Sequence, residues 1–435
     1  MKLSVFVAAA AALFMNEAET ARRVGFFEPA GIVSAYADRV DFATISYRSP
    51  EHLRTNLKLA QSYGLRVNID IGASLVHNAD PATLKRSFTN SAGKIVVKAF
   101  PPLKTNKILR LNEVAARRRA MADVLDVAKD FTDVVDVIFL IDEPYINGVS
   151  KTELETLAAE VRQGMAERRL SFRVGVNFAG ANFNSSFAAM IASAAQAYVE
   201  RADAYNALPA PDVVAWRPTF ARHRLSTYDS AGNMFTEGGI PGGVDVVAFD
   251  FYTATFLSDT LYDKALIWLA ESGREPACKK FGKITVSSFR SSLSFFGGSL
   301  RENEDEVLDD LYDCRTGTTV RLLREEISKS TSPNADIMLI TQSSRNGFYE
   351  HASNGDEKQT GDITKVNARS MAEVRRALRF YAQRADEIRA GIAFFTYSDA
   401  VDKSISISVE GAENLPGALE LISSASGRSP GNAYR

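Results

Sequence analysis

The sequence of 435 residues has few of the residue types that mark several common functional classes. It has 2 cysteines, 2 tryptophans and 4 histidines, and neither charge sign is in clear excess, with 51 Lys and Arg against 53 Asp and Glu. A net charge of -2 with dispersed basic residues argues against nucleic acid as a partner. No apolar run is long enough to span a membrane, and "GFFEPAG" holds no Gly-rich phosphate loop.

The two cysteines, Cys278 and Cys314, lack the close spacing of a structural zinc site. The histidines fall outside the predicted strand ends, and neither a metal site nor a cofactor is predicted. Residues 1–21 carry one lysine, then about a dozen apolar residues, then polar ones, which is the layout of a secretory signal. We therefore expect a secreted or periplasmic protein in which the cysteines form one disulfide. Two buried free thiols are the alternative.

Short apolar runs alternate with longer amphipathic stretches along almost the whole chain. Runs that are apolar at nearly every position suit strands buried on both faces, as in parallel sheets. Strand and helix repeated about eight times predict an α/β fold, a (β/α)8 TIM-type barrel. The runs are Val24–Glu28, Phe42–Tyr47, Val67–Gly72, Val137–Glu143, Phe172–Phe178, Val246–Tyr252, Ile284–Phe289, Ile337–Gln342 and Ile392–Tyr397.

This list contains one run more than a barrel needs, so either Val24–Glu28 or Ile284–Phe289 is expected to be accessory. Residues 183–243 and 291–334 are longer than one helix requires and predict elaborated loops or extra helices. No linker divides the chain, so residues 22–426 are predicted to form a single barrel, followed by a disordered tail over 427–435. Nothing in the sequence demands an oligomer.

The runs end in carboxylates, amides and aromatic residues. In a barrel of this class, the working side chains lie at the carboxyl ends of the strands. Carboxylates for acid and base work, amides for hydroxyl groups and aromatic faces for ring stacking form the expected lining of a sugar site. The substrate-binding set predicted on this basis is Glu28, Asp70, Tyr145, Asn177, Trp216, Tyr252, Gln342 and Tyr397. Each of these has an alternative structural role in packing or in loop hydrogen bonds.

The run "IFLIDEPYIN" ends in two adjacent carboxylates, Asp142 and Glu143. Strand side chains alternate, so Ile141 and Glu143 are expected on one face and Asp142 on the other. Only one carboxylate then aims at the pocket, and Pro144 holds Glu143 at its rim. Partial burial there raises the pKa of a carboxyl, as a general acid near neutral pH requires. The alternative is that the two residues form an ion pair or cap the next helix.

The segment "IDEPY" resembles the Asn-Glu-Pro signature of the large clan of retaining (β/α)8 glycoside hydrolases, in which the Glu is the acid/base. The Asp-Glu pair is also similar to the pair that closes a strand in spherulin-type polysaccharide hydrolases. The resemblance implies that Glu143 is the proton donor. The chain departs from the clan at strand seven, where "ITVSSF" or "IMLITQSS" offers no carboxylate, and Gln342 cannot act as a nucleophile.

The best remaining partner for Glu143 is Asp250, at the end of another apolar run. The two would be acid and base of an inverting reaction at about 6.5 to 9.5 Å, or acid and nucleophile at about 5 to 5.5 Å. Alternatively, Asp142 orients an N-acetyl group of the substrate while Glu143 protonates the leaving oxygen. A purely structural role for Asp250 is the competing interpretation.

The sequence therefore predicts a glycoside hydrolase that acts on a polysaccharide or oligosaccharide, with Glu143 as general acid and Asp250 and Asp142 beside it. Two alternatives stay open. One is a barrel that binds glycan without turnover, as the missing carboxylate at strand seven suggests. The other is a surface or scaffold protein unrelated to carbohydrate.

Overall fold

Eight parallel strands form a closed barrel in the computed structural model. The structure describes residues 22–79, 85–89, 95–99, 109–145, 147–181, 183–184, 238–251, 304–344, 363–402, 407–426 and 428. Each strand pairs with its neighbours along the chain, and the last strand pairs with the first. The strands are β1 (Val24–Phe27), β2 (Phe42–Ser46), β3 (Arg66–Asp70), β4 (Val135–Asp142), β5 (Arg173–Ala179), β6 (Val246–Phe251), β7 (Asp336–Gln342) and β8 (Gly391–Phe395).

The predicted (β/α)8 barrel is confirmed, and the strands are eight of the nine apolar runs. Of the two runs that were candidates for an accessory segment, Val24–Glu28 belongs to the barrel, because β1 closes it between β2 and β8. The ninth run, Ile284–Phe289, lies outside the described residues. The segment "IMLITQ" is therefore strand seven, and it ends at Gln342.

Eight helices are described, most of them outside the barrel between consecutive strands. Longer helices follow β2, β3, β4, β6 and β7. The bounds are α1 (Ser34–Ala37), α2 (Pro50–Tyr63), α3 (Gly72–Leu75), α4 (Val114–Ala128), α5 (Lys151–Glu167), α6 (Glu304–Lys329), α7 (Ile363–Gln383) and α8 (Ala418–Ser426). Single 3-10 turns cover Lys129–Phe131 and Ala412–Asn414.

Local signals in the sequence set the helix ends. Ser49 caps α2 by accepting a hydrogen bond from the amide of His52, and α2 ends at Gly64, whose φ of 62° suits glycine. Ser150 and Glu153 form a capping box at the start of α5.

The barrel wall separates two apolar layers. The outer layer packs the strands against the helices and contains most of the buried apolar side chains. The smaller inner layer includes Phe42, Val137 and Phe139. Gly175 on β5 leaves room for this inner layer, because a Cβ atom there would lie 2.7 Å from the ring of Phe139.

Ion pairs link the amino ends of several strands. Asp136 on β4 accepts hydrogen bonds from Arg23, at 2.6 Å, and from Arg173, at 2.8 Å. Arg173 also contacts Asp336 at 3.2 Å, which connects β4, β5 and β7. Burial opposes the charge of Asp136, but hydrogen bonds from Arg173 and the charge of Arg23 outweigh it and hold its pKa below the usual range.

Short antiparallel strand pairs lie outside the barrel sheet. They are Val76–Asn78 with Leu109–Leu111, Lys85–Thr89 with Ile95–Ala99, and Ala400–Asp402 with Ile407–Val409. Within the described ranges, no helix combines the length and the apolar character needed to cross a membrane.

Several predictions fall wholly or partly outside the described residues. These are the signal over residues 1–21, the tail from residue 429 onward and most of the predicted elaborated loops. Cys314 is buried in α6, whereas its predicted disulfide partner Cys278 lies outside the described part of the chain. The disulfide therefore stays a prediction.

Candidate active site

A β-bulge at the end of β4 controls how the two adjacent carboxylates are presented. Phe139 is aligned with Gly175 on β5, and the next aligned pair is Asp142 with Asn177, so β4 uses one more residue than β5. Leu140 and Ile141 both pack into the outer apolar layer. The predicted simple alternation, with Ile141 and Glu143 on one face, is wrong for this reason.

Asp142 lies beside Asn177 at the carboxyl ends of β4 and β5. The side-chain Nδ2 of Asn177 donates to Oδ1 of Asp142 at 2.6 Å. Asn177 is 4% exposed, whereas Asp142 is open to solvent. The pair holds the carboxylate of Asp142 in a fixed direction at the mouth of the barrel.

Glu143 follows directly and has a φ of 47°, an uncommon backbone conformation for a residue with a side chain. Its amide donates to the carbonyl oxygen of Asn177 at 2.9 Å, and its carbonyl oxygen accepts from the side chain of Asn147 at 2.9 Å. Its side chain hydrogen-bonds Asp250. The alternative of a helix cap is wrong for both carboxylates, because Ser150 caps α5.

Asp250, on β6, is the buried member of the group at 6% exposure. The amide of Gly180 donates to its Oδ1 at 3.3 Å. Burial raises the pKa of Asp250 to about 7, and the neighbouring charge of Asp142 adds to the rise. The hydrogen bonds from Glu143 and Gly180 act in the opposite direction. We call Asp142, Glu143 and Asp250 the carboxyl cluster.

Two carboxyl groups that hydrogen-bond each other share a proton between them. The bond from Glu143 lowers the pKa of Asp250, and burial raises it to about 7. This arrangement supplies a protonated carboxyl next to a carboxylate, at the end of the barrel where catalytic residues of this fold lie. Such a group can give a proton to a leaving oxygen.

Two further predicted residues end barrel strands. Asp70, on β3, accepts hydrogen bonds from Oγ of Ser46 at 3.0 Å and from the amide of Gly72 at 2.9 Å. Burial raises its pKa, and these bonds oppose the rise. Gln342, on β7, is 3% exposed, and its Oε1 has no hydrogen-bond partner within the described residues.

Glu28 does not contact the carboxyl cluster. It is fully buried, and its Oε2 accepts from Oγ1 of Thr396 at 3.0 Å and from the amides of Tyr397, at 3.1 Å, and Ser398, at 3.0 Å. Burial raises its pKa to about 7. The side chain thus connects β1 to the segment after β8. Its Oε1 has no hydrogen-bond partner within the described residues, and the substrate contact stays a prediction.

The described aromatic candidates lie in the packing. Tyr145 is 2% exposed, its ring lies 4.8 Å from that of Phe178, and its hydroxyl donates to the carbonyl oxygen of Gly239 at 2.7 Å. Tyr397 is also buried and packs against Phe26. Neither ring offers an open face to a sugar, which corrects the predicted platforms at these positions. Trp216 and Tyr252 lie outside the described residues.

Two contributors to the site were not predicted. One is the bulge, which the uninterrupted apolar run "IFLI" before Asp142 does not signal. The other is Gly180, directly after β5, whose φ of 50° is a left-handed conformation in which its amide reaches Asp250. A glycine directly after the run "VGVNFA" was the available signal. Over the described ranges, no group of three ligand-type side chains is arranged to hold a metal ion.

No protein-family model matches the chain, and a comparison with curated protein sequences gives no match. Among solved structures, the chain is similar to the beta-D-glucuronidase of Dictyoglomus thermophilum, with 11% identity and a TM-score of 0.44. This match covers 94% of the present chain and 51% of the other, so the chain spans about half the length of that enzyme.

Two further structures match over most of their length. The GH53 catalytic domain of Ignisphaera aggregans has 10% identity and a TM-score of 0.39, with 93% of this chain and 91% of the other covered. Thermotoga maritima Cel5A, in complex with mannotriose, has 9% identity and a TM-score of 0.37, with 93% and 99% covered. The likeness concerns the fold alone. The closed barrel itself is shown by the strand order of this chain, and no specific family is identified.

Proposed function

We propose that this protein is a glycoside hydrolase acting on a polysaccharide or oligosaccharide, with Glu143 as general acid. The observation that carries the proposal is the hydrogen bond between Glu143 and the buried Asp250 at the carboxyl end of the barrel. An isolated surface glutamate would lose its proton well below neutral pH. Burial raises the pKa of Asp250 to about 7, so the pair of Asp250 and Glu143 can hold a proton near neutral pH for transfer to the leaving oxygen.

The cluster also supplies the polar contacts that a sugar requires. Asn177 places its amide beside Asp142, and Gln342 ends β7 with a buried oxygen that has no hydrogen-bond partner among the residues that the structure describes. Together with Asp70, these groups can accept hydrogen bonds from sugar hydroxyl groups. Such bonds replace the ones that the hydroxyl groups make with water before binding. Trp216 and Tyr252 lie outside the described residues, and we propose them as ring platforms from the sequence alone, because aromatic rings stack on sugars.

One observation favours a second function, a barrel that binds glycan without cleaving it. Strand seven ends in Gln342, whose amide cannot form the glycosyl-enzyme bond made by a carboxylate at that position. If the carboxyl cluster has no catalytic use, the same acceptors would still bind sugar hydroxyl groups. Turnover distinguishes the two functions.

The experiment is release of reducing ends from neutral, acidic and N-acetylated polysaccharides by the wild type and the Glu143→Gln variant. We expect at least one polymer to be cleaved, and the variant to lose about a hundredfold or more of the rate because the proton donor is gone. Glu167→Gln, on the exposed face of α5, is the matched control and should keep full activity. Equal activity of wild type and Glu143→Gln would remove Glu143 from the mechanism. Binding without turnover in the wild type would favour the second function.

A further inference from the structure

One segment of the chain departs from the even distribution of basic residues. Residues 81–112, which we call the basic arm, contain no Asp or Glu and hold 7 of the 51 Lys and Arg. Removing these 7 leaves 44 Lys and Arg against all 53 Asp and Glu in the rest of the chain, a net charge of -9. The near-neutral total therefore combines an arm of charge +7 with an acidic remainder.

The base of the basic arm is connected to the carboxyl cluster. The arm leaves the barrel after β3 and α3, at the rim where the strands end, and its base is the strand pair Val76–Asn78 with Leu109–Leu111. The amide of Leu109 donates to the carbonyl oxygen of Asn147 at 2.8 Å. The side chain of Asn147 in turn donates to the carbonyl oxygen of Glu143 at 2.9 Å. Two hydrogen bonds thus link the base of the arm to the backbone of Glu143.

Beyond this base, the arm forms a hairpin in which Lys85–Thr89 pairs with Ile95–Ala99. Among the described residues, no third strand joins it. A two-stranded hairpin alone is at best marginally stable in water. Arg86 and Lys98 are direct partners in its register, and like charges at opposite positions destabilise a strand pair. A negatively charged partner would relieve this repulsion.

The reach of the arm and its residue types suit an extended ligand. Lys85 is seven residues after Asn78, and an extended chain spans at most about 3.6 Å per residue, so the Cα of Lys85 lies within about 25 Å of the base. A polymer that occupies the barrel mouth and continues past the rim can reach this hairpin. Five of the seven basic residues are Lys, whose flexible point charge suits a line of negative charges better than bidentate binding of one group.

We propose, on the basis of the function proposed for the carboxyl cluster, that the basic arm binds a polysaccharide carrying carboxylate or sulfate groups and that this polymer is the substrate. A neutral polysaccharide gains nothing from a charge of +7. An anionic one is attracted to the arm over about 10 Å at 0.1 M salt, and the acidic remainder of the chain disfavours its binding elsewhere. The arm holds the polymer next to the rim and takes no part in bond cleavage.

The test measures binding of polygalacturonate, dextran sulfate and neutral dextran to the full-length protein by calorimetry, at about 50 and about 300 mM NaCl. We expect at least one anionic polymer to bind, with an affinity that falls about tenfold or more at the higher salt concentration. The arm variant, which combines Lys85→Gln, Arg86→Gln and Lys98→Gln, should lower the affinity at 50 mM about tenfold. Polygalacturonate and dextran sulfate distinguish carboxylate from sulfate as the group that is bound.

A matched control removes the same charge from helices outside the barrel. It combines Lys58→Gln on α2, Lys329→Gln on α6 and Arg375→Gln on α7, all at exposed positions, and should bind as the wild type does. On any anionic polymer that is cleaved, the arm variant should raise KM about tenfold and leave kcat within about twofold. The reason is that the arm binds the polymer equally in the ground state and the transition state.

The outcomes separate this inference from the proposed function. Equal affinity of wild type and arm variant, or cleavage that depends on Glu143 and is confined to neutral polymers, would overturn the inference and leave the hydrolase standing. Tighter binding of single-stranded DNA or of phosphatidylserine vesicles, lost in the arm variant, would overturn the assignment to a polysaccharide. Salt-dependent binding of an anionic polysaccharide without cleavage of any polymer would overturn the hydrolase and leave the arm as a binding surface.

Discussion

Single carboxyl groups at equivalent sequence positions have different surroundings in this barrel. Glu28 and Asp250 both end apolar runs, and burial raises the pKa of each to about 7. Asp250 contacts another carboxyl at the barrel mouth, whereas Glu28 accepts three bonds from the segment after β8. Burial raises the pKa of both carboxyls, and they differ in the groups that they contact.

Glu28 gives a prediction on stability. Its pKa is 4.5 in the reference state and about 7 in the folded protein, so the folded state favours the protonated form. Stability from this group is therefore fully present below pH 4.5 and is lost as the pH rises through about 7. Glu28→Gln mimics the protonated form and should raise the free energy of unfolding at pH 8, by up to about 3 kcal/mol.

Urea unfolding of wild type and Glu28→Gln at pH 5 and pH 8 measures this effect. The advantage of the variant should be largest at pH 8 and much smaller at pH 5. A variant that is less stable than the wild type at pH 8 would show that the Glu28 carboxylate is favourable in the folded state.

At the scale of the element, β4 positions Asp142 and Glu143, two of the three members of the carboxyl cluster. Two apolar residues in succession, Leu140 and Ile141, face the outer layer, and the bulge between them and Asp142 brings both carboxylates next to β6. Gly72, at the start of α3, packs against this bulge. A Cβ atom at Gly72 would lie 3.1 Å from the Cα of Ile141 and from the carbonyl oxygen of Leu140.

Gly72→Ala should therefore displace the bulge. We expect a loss of about 1 to 2 kcal/mol in stability from overpacking, and a larger effect on kcat, because Asp142 and Glu143 move relative to Asp250. Gly64→Ala is the control. It strains a left-handed glycine at the end of α2 but meets no atom within 4 Å, so it should lower stability and leave kcat unchanged. An unaltered kcat in Gly72→Ala would show that the bulge tolerates the shift.

At the scale of the whole molecule, the alternation of apolar runs and amphipathic segments was sufficient to predict the closed barrel. Eight strands and the start of α5 at Ser150 follow from local patterns that tertiary contacts do not override. The sequence did not show whether β1 or Ile284–Phe289 belongs to the barrel, because both runs have the same apolar pattern. The pairing of β1 with β8 decides this.

The site was predictable in part. Strand ends placed Asp142, Glu143, Asn177 and Asp250 together because parallel strands end at the same rim. The bulge and the direct contact between Glu143 and Asp250 were not predictable, since register shifts depend on packing between strands. The burial of Tyr145 also depends on long-range contacts, here with Phe178 and Gly239.

The account depends most on a proton shared by Glu143 and Asp250 near neutral pH, and infrared difference spectroscopy measures it without a substrate. Glu28→Gln serves as the background, because Glu28 titrates in the same range. Between pH 5 and pH 9 we expect the carbonyl band of a protonated carboxyl to disappear with a midpoint near about 7. Adding Asp250→Asn should shift or remove this change. The same titration with and without Asp250 would contradict the shared proton and, with it, the role assigned to Glu143.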